Sequence, residues 1–203
     1  MNTSYGNSPH DLTACARIRR AALELFADRG VEATSIRDIA ARAQVSPGAV
    51  QHHFCTKIGL RDAVGNHIRD IAATALGNIS FEGTYIETEQ QMTRAATEFV
   101  RNNGVMLRFT ARGVADGDEQ ALQIFDDLVI LIKQQWTRLR DTGKLAPDTD
   151  VEWMALHSVT IILGTTLMHR GIERHLPAPL ADPEQLNRWN QARVTLFRKT
   201  LEN

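Results

Sequence analysis

Apolar residues recur at spacings of three and four along almost the whole chain of 203 residues. This spacing matches the 3.6 residues of a helical turn, whereas no sustained alternation typical of a β-strand is present. Glycine and proline are sparse and cluster in a few places, where they separate one helical segment from the next. Hydrophobic residues make up 43% of the chain, which is enough to bury a core. We therefore predict an all-α protein.

The first sixty residues contain three short helices in close succession. Their predicted ranges are 12–28, 35–43 and 47–53. Thr34 or Ser35 can cap the second helix, and Ser46 before Pro47 places an N-cap residue ahead of a proline at the first helical position. The turn between the second and third helices, 43–46, is only four residues long. This is a helix-turn-helix arrangement, in which the later helix enters the major groove of DNA.

The run from Ile18 to Val64 resembles the DNA-binding domain of the TetR/AcrR-like (tetracycline-repressor) family. It reads IRRAALELFADRGVEATSIRDIAARAQVSPGAVQHHFCTKIGLRDAV. The matching features are Ala-Ala…Phe in the first helix, Gly30, Thr-Ser-Ile…Ile-Ala, Val-Ser-Pro-Gly, His-Phe and Lys57. We expect a disordered arm at 1–11 and a helix-turn-helix DNA-binding domain at 12–60. The resemblance implies that 61–203 form a helical domain that binds a ligand and dimerises.

The resemblance also implies which residues contact DNA. The surface that faces the groove would be formed by Pro47, Gly48, Ala49, Gln51 and His52. Phosphates would be held by His53 and Lys57, and the flanking DNA backbone by Thr34, Ser35 and Arg37. Gln51 departs from the family, which commonly has tyrosine there, and a glutamine can bond two edges of an adenine. Ile58 and Gly59 also depart from the family, which commonly has an acidic residue and a helix former at these positions. Because a glycine inside a helix costs about 1 kcal/mol, we expect the fourth helix to begin loosely.

The net charge of −1 argues against a uniformly basic nucleic-acid coat. The charge is nevertheless uneven. Residues 1–60 carry seven basic and five acidic side chains, net +2, which leaves 16 basic and 19 acidic side chains, net −3, for the rest. The asymmetry supports a DNA contact only in combination with the motif.

The remainder of the chain predicts longer helices. Their expected ranges are 57–76, 88–102, 105–115, 119–141, 150–175 and 183–201. The helix at 150–175 is apolar nearly all round, so it needs cover on two sides, and Gly164 would allow a close approach. The family forms dimers through its two C-terminal helices, which implies a homodimer through 150–175 and 183–201 here.

The larger domain has six candidate ligand-binding residues. They are Phe99, Arg108, Phe109, Arg112, Trp136 and His157. His157 is a polar residue in an apolar helix, where a buried polar group needs a partner. Arg108 and Arg112 lie one turn apart and suit an anionic or carbonyl group. Ordinary core packing, salt bridges and solvent exposure remain open alternatives for all six.

The sequence favours a regulator over an enzyme. It has no Gly-rich phosphate loop, no catalytic motif and no Cys/His metal spacing, so no cofactor is predicted. His52, His53 and Cys55 offer a metal site only as a weak alternative, since adjacent histidines point to different helix faces. With two cysteines, no signal peptide and no apolar run long enough to span a bilayer, we predict a cytoplasmic protein.

The predicted function is that of a transcriptional repressor. It would bind a palindromic double-stranded DNA operator as a dimer and be released by an unknown small-molecule effector. Two alternatives remain open. One is a DNA-binding regulator without an inducer, whose larger domain serves dimerisation or protein docking, and the other is a helical enzyme or carrier.

Overall fold

The computed structural model describes residues 14–77 and 85–198, so the arm predicted at 1–11 lies outside them. All regular structure within these ranges is helical, and the predicted all-α fold is confirmed. The helices are α1 (Ala14–Arg29), α2 (Ile36–Ala43), α3 (Pro47–Phe54), α4 (Lys57–Gly77), α5 (Tyr85–Ala115), α6 (Glu119–Asp141), α7 (Val151–Leu167), α8 (His169–Glu173) and α9 (Pro183–Arg198). None of the helices described here combines the length and hydropathy needed to cross a bilayer.

The described residues divide into two compact units. The first unit contains 14–71 and 104–125, and the second contains 72–77, 85–103 and 126–198. The first unit therefore holds α1, α2 and α3 together with the corner between α5 and α6. This division differs from the sequence boundary expected after residue 60, because the α5–α6 corner packs with the start of the chain.

Polar contacts join the α5–α6 corner to the rest of the first unit. Arg61 Nη1 donates to Asp118 Oδ2 at 2.8 Å, and Gln120 Nε2 donates to the carbonyl of Asp62 at 3.0 Å. Burial alone would lower the pKa of Arg61, but its hydrogen bond to Asp62 and the charges of Asp118 and Asp62 raise it above the usual value. These pairs span more than fifty residues of sequence and fix the corner against α4.

The range α5 contains two helical stretches that meet at a kink at Asn103 (φ −123°, ψ 22°), so the predicted division into helices at 88–102 and 105–115 is confirmed. The first stretch begins at Tyr85, three residues earlier than predicted. Asn103 Nδ2 donates to the carbonyl of Phe99 at 2.9 Å, so the side chain satisfies a carbonyl at the point where the helix bends. The Asn-Asn-Gly sequence therefore interrupts the helical conformation, as predicted. Residues 78–84, which lie between the predicted helices at 57–76 and 88–102, are outside the described ranges.

Helix α7 ends earlier than the predicted 150–175. Asp150 caps its start by accepting from the amide of Trp153 at 3.1 Å, and its last residue is Leu167. Met168 (φ −90°, ψ 8°) then leaves the helical conformation, and the five-residue α8 follows. Helix α9 begins at Pro183 as predicted, and residues 199–201 of its predicted range lie outside the described chain.

Candidate nucleic-acid interface

The turn between α2 and α3 is held in one conformation by backbone hydrogen bonds. Gln44 adopts a left-handed conformation (φ 56°, ψ 50°), which is uncommon for a residue with a side chain. Its amide donates to the carbonyl of Ala41 at 3.2 Å, and the amide of Val45 donates to the carbonyl of Ala40 at 3.0 Å. These bonds satisfy the last carbonyls of α2 and turn the chain sharply into α3.

Helix α2 starts with a reciprocal cap. The Ser35 hydroxyl accepts from the Asp38 amide at 3.1 Å, and the Asp38 carboxylate accepts from the Ser35 amide at 3.0 Å. Hydrogen bonds from the side chain and then the backbone of Ser35 hold the pKa of Asp38 below its usual value. The sequence prediction of Thr34 or Ser35 as the cap is settled in favour of Ser35.

Helix α3 presents its outer face to solvent. Ser46 Oγ accepts from the Ala49 amide at 3.1 Å, and Pro47 occupies the first helical position. Val50 is 1% exposed and anchors the helix to α1 and α2. The exposed residues are Pro47, Gly48, Gln51, His52 and His53, and Ala49 is half-buried. The first turn therefore offers amide groups, the positive end of the helix and little side-chain bulk, a combination that suits phosphate and close approach to DNA.

Residues 18–64 match the family model described as bacterial regulatory proteins of the tetR family. The chain is 57% identical over 53 residues to the HTH-type transcriptional repressor Rv3405c of Mycobacterium tuberculosis, an alignment that covers 26% of this chain and 28% of the relative. Residues 18–64 are therefore similar to the DNA-binding domain of the tetR family. The curated relatives that the chain matches are transcriptional regulators rather than enzymes, as the sequence predicted.

The chain spans less than a third of the length of these relatives. The HTH-type regulatory protein RaaS of M. tuberculosis, for example, is 49% identical over 70 residues, which cover 32% of each chain. Similarity to solved structures extends further. A regulatory protein in the tetR family from Rhodococcus RHA1 covers 94% of this chain with a TM-score of 0.70 and 23% identity, and this chain covers 97% of it. This chain therefore shares the fold of that protein without close sequence similarity.

Thr34 does not present its side chain at the surface of the helix-turn-helix. It is 1% exposed, and its hydroxyl donates to the carbonyl of Gly30 at 2.8 Å. This burial does not favour a contact between the Thr34 side chain and the DNA backbone, and the predicted contact is not tested by this geometry. The hydroxyl instead ties the end of α1 to the start of α2. Ser35 and Arg37 are exposed beside it, and their DNA contacts stay predictions.

Lys57 has a structural role that the sequence did not indicate. Its ammonium group donates to the carbonyls of Val31 at 3.0 Å and Glu32 at 3.3 Å. The side chain is 29% exposed. Lys57 therefore fastens the loop between α1 and α2 to the start of α4, and the phosphate contact implied by the resemblance is not tested by this geometry.

Gly59 is required by the junction between α3 and α4. A Cβ at this position would lie 2.7 Å from the carbonyl oxygen of Phe54, which is closer than real Cβ atoms approach. Cys55, one of the two residues between the helices, has a positive φ of 56°. The departure from the family at Gly59 thus reflects a tight junction rather than a loosely formed α4.

Three of the six candidate ligand residues lie in the first unit. Phe109 packs on Phe26 with ring centroids 6.3 Å apart. Arg112 Nη1 donates to the carbonyl of Asp28 at 3.3 Å, and Arg108 Nη2 lies 4.0 Å from the Asp28 carboxylate. All three therefore contact α1, the helix that supports the helix-turn-helix.

The other three candidates lie in the second unit. Phe99 and Trp136 are buried, and Trp136 Nε1 donates to Ser158 Oγ at 3.2 Å. His157 is exposed beside Trp153, with ring centroids 5.4 Å apart. It is therefore not the buried polar group that the apolar helix suggested. The six candidates are divided between the two units, and ligand binding by any of them stays a prediction.

The adjacent imidazole rings of His52 and His53 have centroids 5.5 Å apart. Within the described ranges, no group of three or more His, Cys, Asp or Glu side chains is arranged to hold a metal ion. Both histidines lie on the exposed part of α3, and their contact with DNA stays a prediction.

Proposed function

We propose that this chain is a transcriptional repressor that binds a two-fold symmetric DNA operator as a homodimer. The observation that carries the proposal is the first turn of α3, which is exposed, small and capped while Val50 anchors it from behind. In a helix-turn-helix this is the part of the recognition helix that contacts base edges. The match of residues 18–64 to the tetR family supports the same assignment.

Dimerisation is proposed through α7 and α9. Helix α7 buries one face inside the second unit through Met154, Ala155, Val159 and Leu163, yet Trp153, Leu167 and Met168 are 46–66% exposed. Trp189 Nε1 of α9 donates to Thr165 Oγ1 of α7 at 3.2 Å, so the two helices are neighbours. A partner that covers this apolar surface would place two recognition helices about 34 Å apart on the operator.

Release by a small molecule is proposed to act through the segment of α5 that contacts α1. Phe109 and Arg112 connect this segment to Phe26 and to the backbone of Asp28. A ligand that favours another position of this segment would shift the recognition helices away from their spacing on DNA. Phe99, Trp136 and His157 remain proposed ligand contacts, and the cytoplasm, where the DNA lies, is the proposed compartment.

Selection of bound DNA from a random pool tests the proposal. We expect a palindrome whose half-sites lie about 10 base pairs apart, with binding that weakens steeply as salt rises. Sites without two-fold symmetry, or affinity no greater than for random DNA, would contradict it. A protein that binds no DNA at all would favour the helical enzyme or carrier.

A further inference from the structure

A buried arginine on α9 is held by neutral groups. Arg193 is 7% exposed, and its Nε and Nη2 donate to Asn190 Oδ1 at 3.0 Å and 2.6 Å. Asn190 is fully buried, and its Nδ2 donates to Thr97 Oγ1 on α5 at 2.5 Å. The guanidinium is therefore fixed in position between α9 and α5 inside the second unit.

Arg193 lacks a carboxylate partner among the described residues. Burial lowers its pKa to about 10, and the group still carries its charge at neutral pH. The ring of Trp189, 5.7 Å from the guanidinium carbon, gives only partial compensation. An uncompensated buried charge is costly, so its presence calls for an anion or a functional reason.

The contacts of Arg193 leave one edge of the guanidinium open. Asn190 occupies the edge formed by Nε and Nη2. The other end of the guanidinium carries the N–H groups of Nη1 and the remaining N–H of Nη2. Within the described part of the chain, no acceptor is found for this end. Two parallel N–H groups on this end match the two oxygens of a carboxylate.

We propose that Arg193 binds the carboxylate of the small-molecule effector, and that the rest of this effector is apolar. This inference rests on the proposed ligand response. A small molecule fits better than a side chain of a partner subunit, because Arg193 and Asn190 are buried within a single protomer. The helices that carry the site also bury Phe99 and Leu186, so an apolar body is the chemistry that suits the surroundings.

The test uses octanoate and benzoate as probes, with octanamide and benzamide as neutral controls. We expect both carboxylates to raise the melting temperature of the full-length protein, and the amides to leave it unchanged. R193M should lose this shift, with affinity at least tenfold weaker. R193K, which keeps the charge without the paired donors, should retain part of it. R193M also leaves the buried Asn190 Oδ1 without its donor, so the shift on adding ligand, and not the starting melting temperature, is the readout.

Three results would overturn the proposal. They are the absence of any carboxylate-dependent shift, an equal shift in R193M, and conversion of R193M to a monomer. If R193M does not fold, the comparison with R193K decides. DNA affinity is measured separately: a wild-type protein that binds carboxylate but no DNA contradicts the proposed function and leaves the anion site standing. If carboxylate binding depends on Arg193 but does not release DNA, the bound carboxylate is not an effector, and this part of the proposal is overturned.

Discussion

Arg112 of α5 lies directly against Gly30, the residue that ends α1. A Cβ on Gly30 would stand 3.2 Å from Arg112 Nε, and the backbone there has a positive φ of 85°. The same guanidinium donates to the carbonyl of Asp28. Gly30 thus turns the chain at the end of α1, and Arg112 covers this turn. The segment that leads into the helix-turn-helix is therefore fixed by a residue more than eighty positions away.

Gly30→Ala should lower the free energy of unfolding by about 2 kcal/mol. About 1 kcal/mol comes from placing a side chain at positive φ, and the rest from crowding Arg112. Gly117→Ala is the matched control, because Gly117 has a φ of 71° and a Cβ added there would meet no atom within 4 Å. Urea denaturation should therefore show a larger loss at Gly30 than at Gly117.

The contact itself is isolated by repeating both glycine substitutions in an Arg112→Ala background. The excess loss at Gly30 should disappear there, while the loss at Gly117 persists. An excess that survives removal of Arg112 would contradict the contact.

Thr34→Val should lower the free energy of unfolding by about 1 kcal/mol, because it removes the hydrogen bond to Gly30 and leaves that carbonyl without this donor. Thr34→Ser should retain most of the stability. The DNA affinity of the folded Val variant should stay within about twofold of wild type. A tenfold loss of affinity in a fully folded Thr34→Val protein would restore the phosphate contact that the sequence predicted.

Gly48→Ala separates DNA binding from folding. An added Cβ would meet only Ser46 Oγ at 3.8 Å, and alanine favours the helix by about 0.5–1 kcal/mol, so stability should stay equal or rise. Affinity for the operator should fall about tenfold, because the methyl group enters the space between α3 and DNA. Gly77→Ala, whose Cβ meets nothing within 4 Å, is the control and should leave affinity unchanged. If wild type, Gly48→Ala and Gly77→Ala all bind the operator with equal affinity, DNA does not lie against α3 at Gly48.

The lowered pKa of His67 predicts that the protein loses stability in mild acid. Burial, followed by the charge of Arg19, lowers its pKa below 6.5 in the folded protein, although Asp70 opposes the shift. The unfolded chain then binds a proton at higher pH than the folded chain does. The contribution of neutral His67 to the free energy of unfolding is complete above pH 6.5. It is lost as the pH falls from 6.5 towards the pKa of His67 in the folded protein. Chemical denaturation between pH 7.5 and 5.5 should show a shallower decline for His67→Gln, and parallel declines would contradict the assignment.

Local signals predicted the helix starts well. Ser46-Pro47 and Asp182-Pro183 each combine a capping side chain with a proline, and both helices begin at the proline. The Asn-Asn-Gly sequence also predicted the interruption within α5, where Asn103 has non-helical dihedral angles. The hydrogen bond from its side chain to the carbonyl of Phe99, one turn back, was not predicted.

Long-range pairing could not be read from the sequence. Arg61 and Asp118 are 57 residues apart, and nothing in either segment indicates that they meet. The burial of Thr34 could not be predicted for a related reason, since a threonine before a helix suits a cap, a DNA contact or a buried bond equally well. Only packing of α1 on α2 decides that its hydroxyl faces Gly30.

The most direct test of operator recognition by α3 is DNA selection with Gln51→Ala beside wild type. Gln51 is exposed on α3, one residue from the anchor Val50, so its removal should leave the fold intact. We predict that the variant selects the same two-fold symmetric site with the same spacing, but loses its base preference at one symmetry-related pair of positions. An unchanged preference at every position would contradict the claim that this face of α3 reads the operator.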